Sequence, residues 1–145
     1  MHRVNIYTMA APKRIRAGRV TIAYVLECTS IKGAEPRMGV RAIEEATPQR
    51  SELAALIDAM RRMTKPSDID IYTESDYVAN GFDAGWVEGW KANGWKRKGG
   101  VDVANREEWE ELDRLLEPHN YIFHVREGHA YRLLLKAEAE RGGQE

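Results

Sequence analysis

One carboxylate of this chain stands at the point where a predicted strand gives way to a helix. Residues 68–73 alternate apolar and polar side chains, which is typical of a strand buried on at least one face. Residues 73–75 then have the composition of a helix start. The side chain of Glu74 is therefore predicted to lie at the mouth of a sheet.

Two basic stretches are candidates for contact with nucleic acid. The first contains Lys13, Arg14 and Arg16, and the second is the predicted exposed loop of residues 95–100. The net charge of −1 provides no general attraction to a polyanion, so any such binding must come from local patches of this kind. The alternative for the second stretch is an ordinary solvated loop.

Composition limits the class of protein. A chain of 145 residues with 43% hydrophobic and 31% charged residues suits one globular domain, taken as residues 1–145. No apolar run approaches the length of a membrane span, and the N-terminus enters a strand without an apolar signal region. The single cysteine, Cys28, excludes an internal disulfide framework and fits a reducing compartment. These features predict a cytoplasmic protein.

The pattern of elements predicts an α/β fold with a five-stranded mixed sheet flanked by helices. Three strands come first and form an antiparallel meander, at residues 3–8, 20–28 and 37–46, with residues 9–12 ending the first of them. Two further strands, at residues 68–73 and 121–126, follow helical crossovers and are expected to pair in parallel. Helices are predicted from residue 48 to about 65, at 75–80, 82–92, after 105, and at 130–141.

Local signals support several of these elements. Thr47 is a suitable N-cap, and Pro48 occupies the first helical position after it. Asn105 is predicted to cap the fourth helix. The four tryptophans recur at near-helical spacing, and we expect at least three of them to pack in the core rather than to stack on bases.

Several segments resemble the ribonuclease HI family. Residues 71–81 are similar to its second acidic motif, where a strand ends in Thr-Asp-Ser before a short helix containing Tyr-Val. Residues 47–57 resemble the helix that bears its catalytic glutamate, and residues 127–130 resemble its Lys-Gly-His-Ala turn. The tryptophans and lysines of residues 86–109 resemble its basic protrusion and the helix after it. The resemblance covers nearly the whole chain and implies a ribonuclease H-like fold.

The resemblance also implies a catalytic site for cutting the RNA strand of RNA/DNA hybrids with two metal ions held about 4 Å apart, Mg²⁺ or Mn²⁺. It makes Glu52 and Glu74 metal ligands and assigns His129 to product release. Glu74 stands where the family has an aspartate, and Met9 stands where the family has the aspartate that bridges both metals. The position of a fourth acid on the last helix is ambiguous, and Glu138 is the candidate there.

The resemblance further implies a set of residues that contact nucleic acid. Most are polar or basic and fall in the first helix, the second acidic motif and the protrusion: Thr47, Gln49, Ser75, Lys91, Lys96, Arg97 and Lys98. Gly89 stands where the family has an asparagine that completes a DNA-phosphate pocket.

Three functions remain open from the sequence. The first is a hybrid-binding protein whose hydrolytic activity is impaired by the missing aspartate, with weak metal binding or none. The second is an active endoribonuclease with a rearranged ligand set, and the third is a non-catalytic module that binds a protein partner. A fold of this type does not by itself decide between them.

Overall fold

The protein is a five-stranded mixed sheet with helices on both faces, in a computed structural model that describes residues 1–13 and 16–142. The strands lie in the order β3-β2-β1-β4-β5. Their bounds are β1 His2–Ala11, β2 Gly18–Cys28, β3 Arg37–Ala46, β4 Ser67–Thr73 and β5 Asn120–Val125. The first three strands are antiparallel, and β4 runs parallel to both β1 and β5. The predicted fold class is confirmed.

Five helices connect and cover the strands. Their bounds are α1 Pro48–Met60, α2 Asp76–Asp83, α3 Trp86–Ala92, α4 Arg106–Leu116 and α5 Arg132–Gly142. The large core lies between one face of the sheet and helices α1 to α4, with Leu53, Ile71 and Leu112 at its centre. On the opposite face, α5 packs Leu135 and Ala139 against β1 and β2. The two faces follow from the alternation of side chains along each strand.

The first strand is longer than its sequence predicted. Met9 and Ala10 do not break β1 but continue it, because each pairs with β2 (Met9 with Ala23, Ala10 with Ile22) and each is buried. Helix α1 is shorter than predicted and ends at Met60 rather than near residue 65. The exposed Arg61 that follows no longer belongs to the apolar face that packs on the sheet.

The helix starts agree with the sequence in one case and differ in another. The Thr47 hydroxyl accepts a hydrogen bond from the Arg50 N–H at 3.2 Å, so Thr47 is the N-cap of α1, as predicted. Asn105 does lie at the start of α4, but its side chain makes no capping bond. Its amide instead donates to the Tyr77 hydroxyl at 3.2 Å, a tertiary contact that competes with the cap.

The tryptophans are mainly structural, as predicted. Trp109 is fully buried and donates from Nε1 to the Tyr77 hydroxyl at 2.9 Å. Trp90 and Trp95 are partly buried against the same core, whereas Trp86 remains 38% exposed. None of the helices in the described ranges combines the length and the apolar character needed to cross a bilayer.

Candidate active site at the carboxyl ends of β1 and β4

The carboxyl ends of two parallel strands meet at the edge where the candidate site lies. Tyr7 on β1 is level with Tyr72 on β4, and continuing this register brings Met9 level with Glu74. The order of the strands reverses between β1 and β4, which is the position where open α/β sheets form binding crevices. Residues at these two strand ends are therefore placed together by topology.

Glu52 enters this site from the first turns of α1. Its side chain is buried, and its Oε2 has no hydrogen-bond partner among the residues that the structure describes. Burial raises the pKa of Glu52 to about 7; the charge of Lys13 opposes this, and the charge of Glu74 adds to it. The two acids are thus close enough to interact, as the resemblance implied.

Glu74 lies just beyond β4 and meets a cation from the last helix. Its Oε1 is 3.5 Å from Nε of Arg132, the first residue of α5, and its side chain is 16% exposed. Arg132 did not figure among the residues singled out from the sequence. Its position three residues after His129 is the only local signal that could have indicated it.

His129 is placed beside Glu74 by two aromatic rings. Its imidazole centroid lies 4.5 Å from that of Tyr7 and 5.6 Å from that of Tyr72. Its Nδ1 accepts a hydrogen bond from the Tyr131 N–H at 3.1 Å, which leaves the proton of the neutral ring on Nε2. Burial lowers the pKa of His129, Glu74 raises it and Arg132 lowers it, so the neutral form predominates at pH 7.

Met9, near the carboxyl end of β1, is buried in an apolar cluster. Only 6% of its surface is exposed, and the cluster includes Leu135 and Ala139 of α5 and Val25 of β2. Methionine offers a thioether, which is a poor ligand for a hard cation. The last helix therefore brings the apolar residues Leu135 and Ala139, not an acid, toward Met9.

The residues present do not fit a pair of hard cations. Within residues 1–13 and 16–142, no three His, Cys, Asp or Glu side chains are grouped so that they could hold a metal ion, so Glu52, Glu74 and Glu138 do not form one ligand set. Glu138 pairs with Arg141 on its own helix. Mg²⁺ requires near-octahedral oxygen coordination, and the two remaining carboxylates, one of them beside an arginine, do not supply it.

The residues implied to contact DNA phosphate lie at two helix starts. Ser75 is the N-cap of α2 and accepts from the Val78 N–H at 3.2 Å, as Thr47 does in α1. Each hydroxyl oxygen is used as an acceptor, which leaves its proton available for donation to a phosphate. Gln49 is exposed in the first turn of α1.

The basic protrusion is a small hairpin whose lysines and arginines differ in their ion pairing. Residues 96 and 102 form an antiparallel bridge, and the Arg97 N–H donates to the Val101 carbonyl at 2.6 Å. Lys96 forms an ion pair with Asp102, and Lys91 is 3.0 Å from Asp113.

The cations at the tip of this hairpin differ from Lys96 in their surroundings. Arg97 and Lys98 are exposed and form no ion pair within the described part of the chain. The other basic stretch contains Arg14, which falls outside the described residues.

A second polar group beside the site was not anticipated from the sequence. Nε2 of His124 lies 2.7 Å from Asp70 and its Nδ1 lies 2.8 Å from Glu127, while its ring stacks on Tyr72 at 4.5 Å. Burial lowers the pKa of His124, but the hydrogen bonds to Asp70 and Glu127 outweigh this and leave that pKa raised. Parallel pairing of β4 with β5 places His124 level with Tyr72, and no pattern within either strand alone shows this.

The sheet order and the placement of the acids define a protein of the ribonuclease H type. The family model described as RNase H matches residues 1–133, and the chain belongs to that family. The Ribonuclease H of Acetivibrio thermocellus is 41% identical over 87 residues, which are 60% of this chain and 59% of that protein. The match thus spans less than two thirds of the relative's length.

Solved structures show the same fold at lower identity. LC9-RNase H1, described as a type 1 RNase H with the type 2 active-site motif, has a TM-score of 0.77 and 22% identity over 99% of this chain and 74% of that one. LC11-RNase H1, solved in complex with an RNA/DNA hybrid, has a TM-score of 0.60 and 15% identity over 96% of this chain and 98% of that one.

Proposed function

We propose that this chain binds RNA/DNA hybrids as a single ribonuclease H domain, in the cytoplasm, and does not cut them by the two-metal mechanism. The observation on which this rests is Met9, which is buried beside Leu135 and Ala139 where the family has a bridging acid. A two-metal site needs carboxylates on several elements, and the residues here leave two.

Membership of the family supports the choice of hybrid as ligand. The related LC11-RNase H1 was solved with an RNA/DNA hybrid. On this chain, the exposed Arg97 and Lys98, together with the hydroxyls of Thr47 and Ser75, are the groups that we assign to phosphate contacts. Half or more of the hydrogen bonds in such interfaces go to phosphate and sugar, which fits this set.

A second function is favoured by one specific observation. Glu52 and Glu74 lie together, with His129 beside Glu74, which is the arrangement expected for an active endoribonuclease with a rearranged ligand set. In that case Mg²⁺ or Mn²⁺ would be held by Glu52 and Glu74, and an acid such as Glu138 would have to leave its pair with Arg141 to complete the ligand set. The two functions make opposite predictions for cleavage.

The deciding experiment incubates a labelled RNA/DNA hybrid with the protein and Mg²⁺ or Mn²⁺. The wild type should bind the hybrid and leave its RNA strand uncut. Met9→Asp combined with Glu74→Asp should restore some cleavage, and adding Ala139→Asp should increase it, because residue 139 packs in the same cluster as residue 9. The matched control, Met9→Asn with Glu74→Asp, has the same size without the added charge and should stay inactive.

Two other outcomes of this experiment would contradict the proposal. Robust cleavage by the wild type that Glu52→Gln abolishes would establish a working nuclease and overturn the proposal. A wild type that neither cuts nor binds the hybrid would leave a protein partner as the remaining candidate.

A further inference from the structure

Arg132 is a cation placed at the acidic site with its hydrogen-bonding groups unused. Its Nε lies 3.5 Å from Glu74, which is an ion pair but too long for a good hydrogen bond. Its side chain makes no hydrogen bond within the described ranges and is 49% exposed. Apart from the Nε–H, which faces Glu74, the N–H donors of its guanidinium are therefore available to a ligand that approaches the site from solvent.

Other cations lie around the same two acids. Lys13 is close enough to Glu52 to act on it electrostatically, and Arg126 acts on Glu74 while it pairs with Asp76. Arg132 also acts on His129, so the guanidinium lies near both Glu74 and the imidazole. Three protein cations thus act on the two acids that the resemblance makes metal ligands.

These cations and the buried Met9 both disfavour a divalent metal ion at this site. A divalent ion beside Glu74 would be repelled by Arg132 and would lack an oxygen ligand from residue 9. An anion in the same place would instead gain a charge-assisted contact. The planar fork of arginine matches two oxygens of a phosphodiester, which makes it a suitable phosphate ligand.

We propose that Arg132 substitutes for metal charge at this site and binds a nucleic-acid phosphate directly, so that the hybrid is held there without a divalent cation. The inference rests on the proposed function, since the phosphate belongs to the bound hybrid. Glu74 then positions the guanidinium. The role is binding, and no bond is made or broken by it.

The test is binding of a short labelled RNA/DNA hybrid, measured by fluorescence anisotropy in EDTA and in millimolar Mg²⁺ at matched ionic strength. Wild-type affinity should agree within about twofold between the two conditions. Arg132→Ala should weaken binding about tenfold. The plot of the logarithm of the binding constant against the logarithm of salt concentration should become shallower by about 0.9, the value for one lost phosphate contact. Arg132→Lys should recover part of the affinity, because it keeps the charge but loses the fork.

A matched control removes a cation from the other end of the sheet. Lys65 is exposed just before β4, whereas Glu74 follows it, so the two are separated by roughly 20 Å of strand. Lys65→Ala should change neither the affinity nor the salt slope. Thermal melting of each variant checks that the fold is intact.

A double variant separates phosphate binding from simple neutralisation of Glu74. If Arg132 only neutralises that acid, Glu74→Gln with Arg132→Ala should return to wild-type affinity and slope. If Arg132 contacts the phosphate, the double variant should keep the lower slope.

Two results would overturn the inference while the proposed function stands: wild-type binding that requires Mg²⁺, or an Arg132→Ala variant that binds like Lys65→Ala. A wild type that does not bind hybrid in either condition would overturn both.

Discussion

At the scale of single residues, Glu52 is a buried acid whose ionisation is costly. Its pKa is raised to about 7 by burial, so the folded protein holds a proton that the unfolded chain releases at a lower pH. Stability linked to this group is therefore greatest below the ordinary glutamate pKa of 4.5 and falls as the pH rises toward 7. Above that pH the loss is complete and becomes constant.

The first prediction concerns Glu52→Gln, which keeps the shape and removes the charge. The free energy of unfolding of the variant, relative to wild type, should increase between pH 4.5 and pH 8 by about 2–3 kcal/mol, since one pKa unit is worth about 1.4 kcal/mol. Denaturant titrations across that range measure the difference. An offset between the two proteins that does not change with pH would show that Glu52 titrates normally.

The cost of burying a charge also applies at Met9, which is apolar in the wild type. An acid introduced there would be buried beside Leu135 and Ala139, and an unpaired buried charge is costly. The variants that restore cleavage should therefore be less stable than wild type in EDTA. Metal binding would compensate for that loss only if it supplies the missing opposite charge.

At the scale of elements, the hairpin of residues 96–102 determines which cations face solvent. Its backbone bonds fix the tip, where Gly99 and Gly100 have positive φ values of 91° and 80° that favour glycine. Lys96 is held against Asp102 at the base, and Asp102 is shared with Arg106 at 2.9 Å. The element thus separates a neutralised lysine from two cations at the tip, Arg97 and Lys98.

The second prediction follows from this separation. Arg97→Ala with Lys98→Ala should lower the salt slope of hybrid binding by about 1.8, two contacts at about 0.9 each, whereas Lys96→Ala should change it less. Anisotropy titrations over a range of salt concentrations test this. If wild-type binding shows no salt dependence, or if Lys96→Ala has the larger effect, the tip is an ordinary solvated loop.

At the scale of the whole molecule, the question is whether metal stabilises the fold. A ligand that binds only the native state raises its stability by RT ln(1 + [L]/Kd). The described residues contain no group of three ligands suited to a metal ion. We therefore expect Mg²⁺ and Mn²⁺ at millimolar concentration to leave the melting temperature of the wild type nearly unchanged.

The matched comparison is the triple variant Met9→Asp, Glu74→Asp, Ala139→Asp, which should melt at a higher temperature when either metal is added. Calorimetric titration gives the binding stoichiometry directly. Tight binding of two ions to the wild type would contradict this expectation and would require a ligand that the present arrangement does not contain.

The sequence by itself determined the order of elements, the sheet class and the family. These follow from short-range signals: the alternation of residues 68–73, the cap at Thr47 and the apolar faces of the helices. It also singled out Glu52, Glu74 and the exposed basic loop of residues 95–100, since the family motifs are contiguous segments. The predicted length of β1 was wrong because pairing with β2, a long-range contact, overrides the local break expected at residues 9–12.

Only the tertiary structure decided the character of the site. That Arg132 meets Glu74, that Lys96 is neutralised by Asp102, and that Met9 is enclosed by α5 are contacts between elements distant in sequence or folded back by a turn. Electrostatic and packing energies depend on separation in space, which no local pattern specifies. The chemistry at this edge of the sheet could therefore be inferred only from the structure, in which β1, β4 and α5 come together.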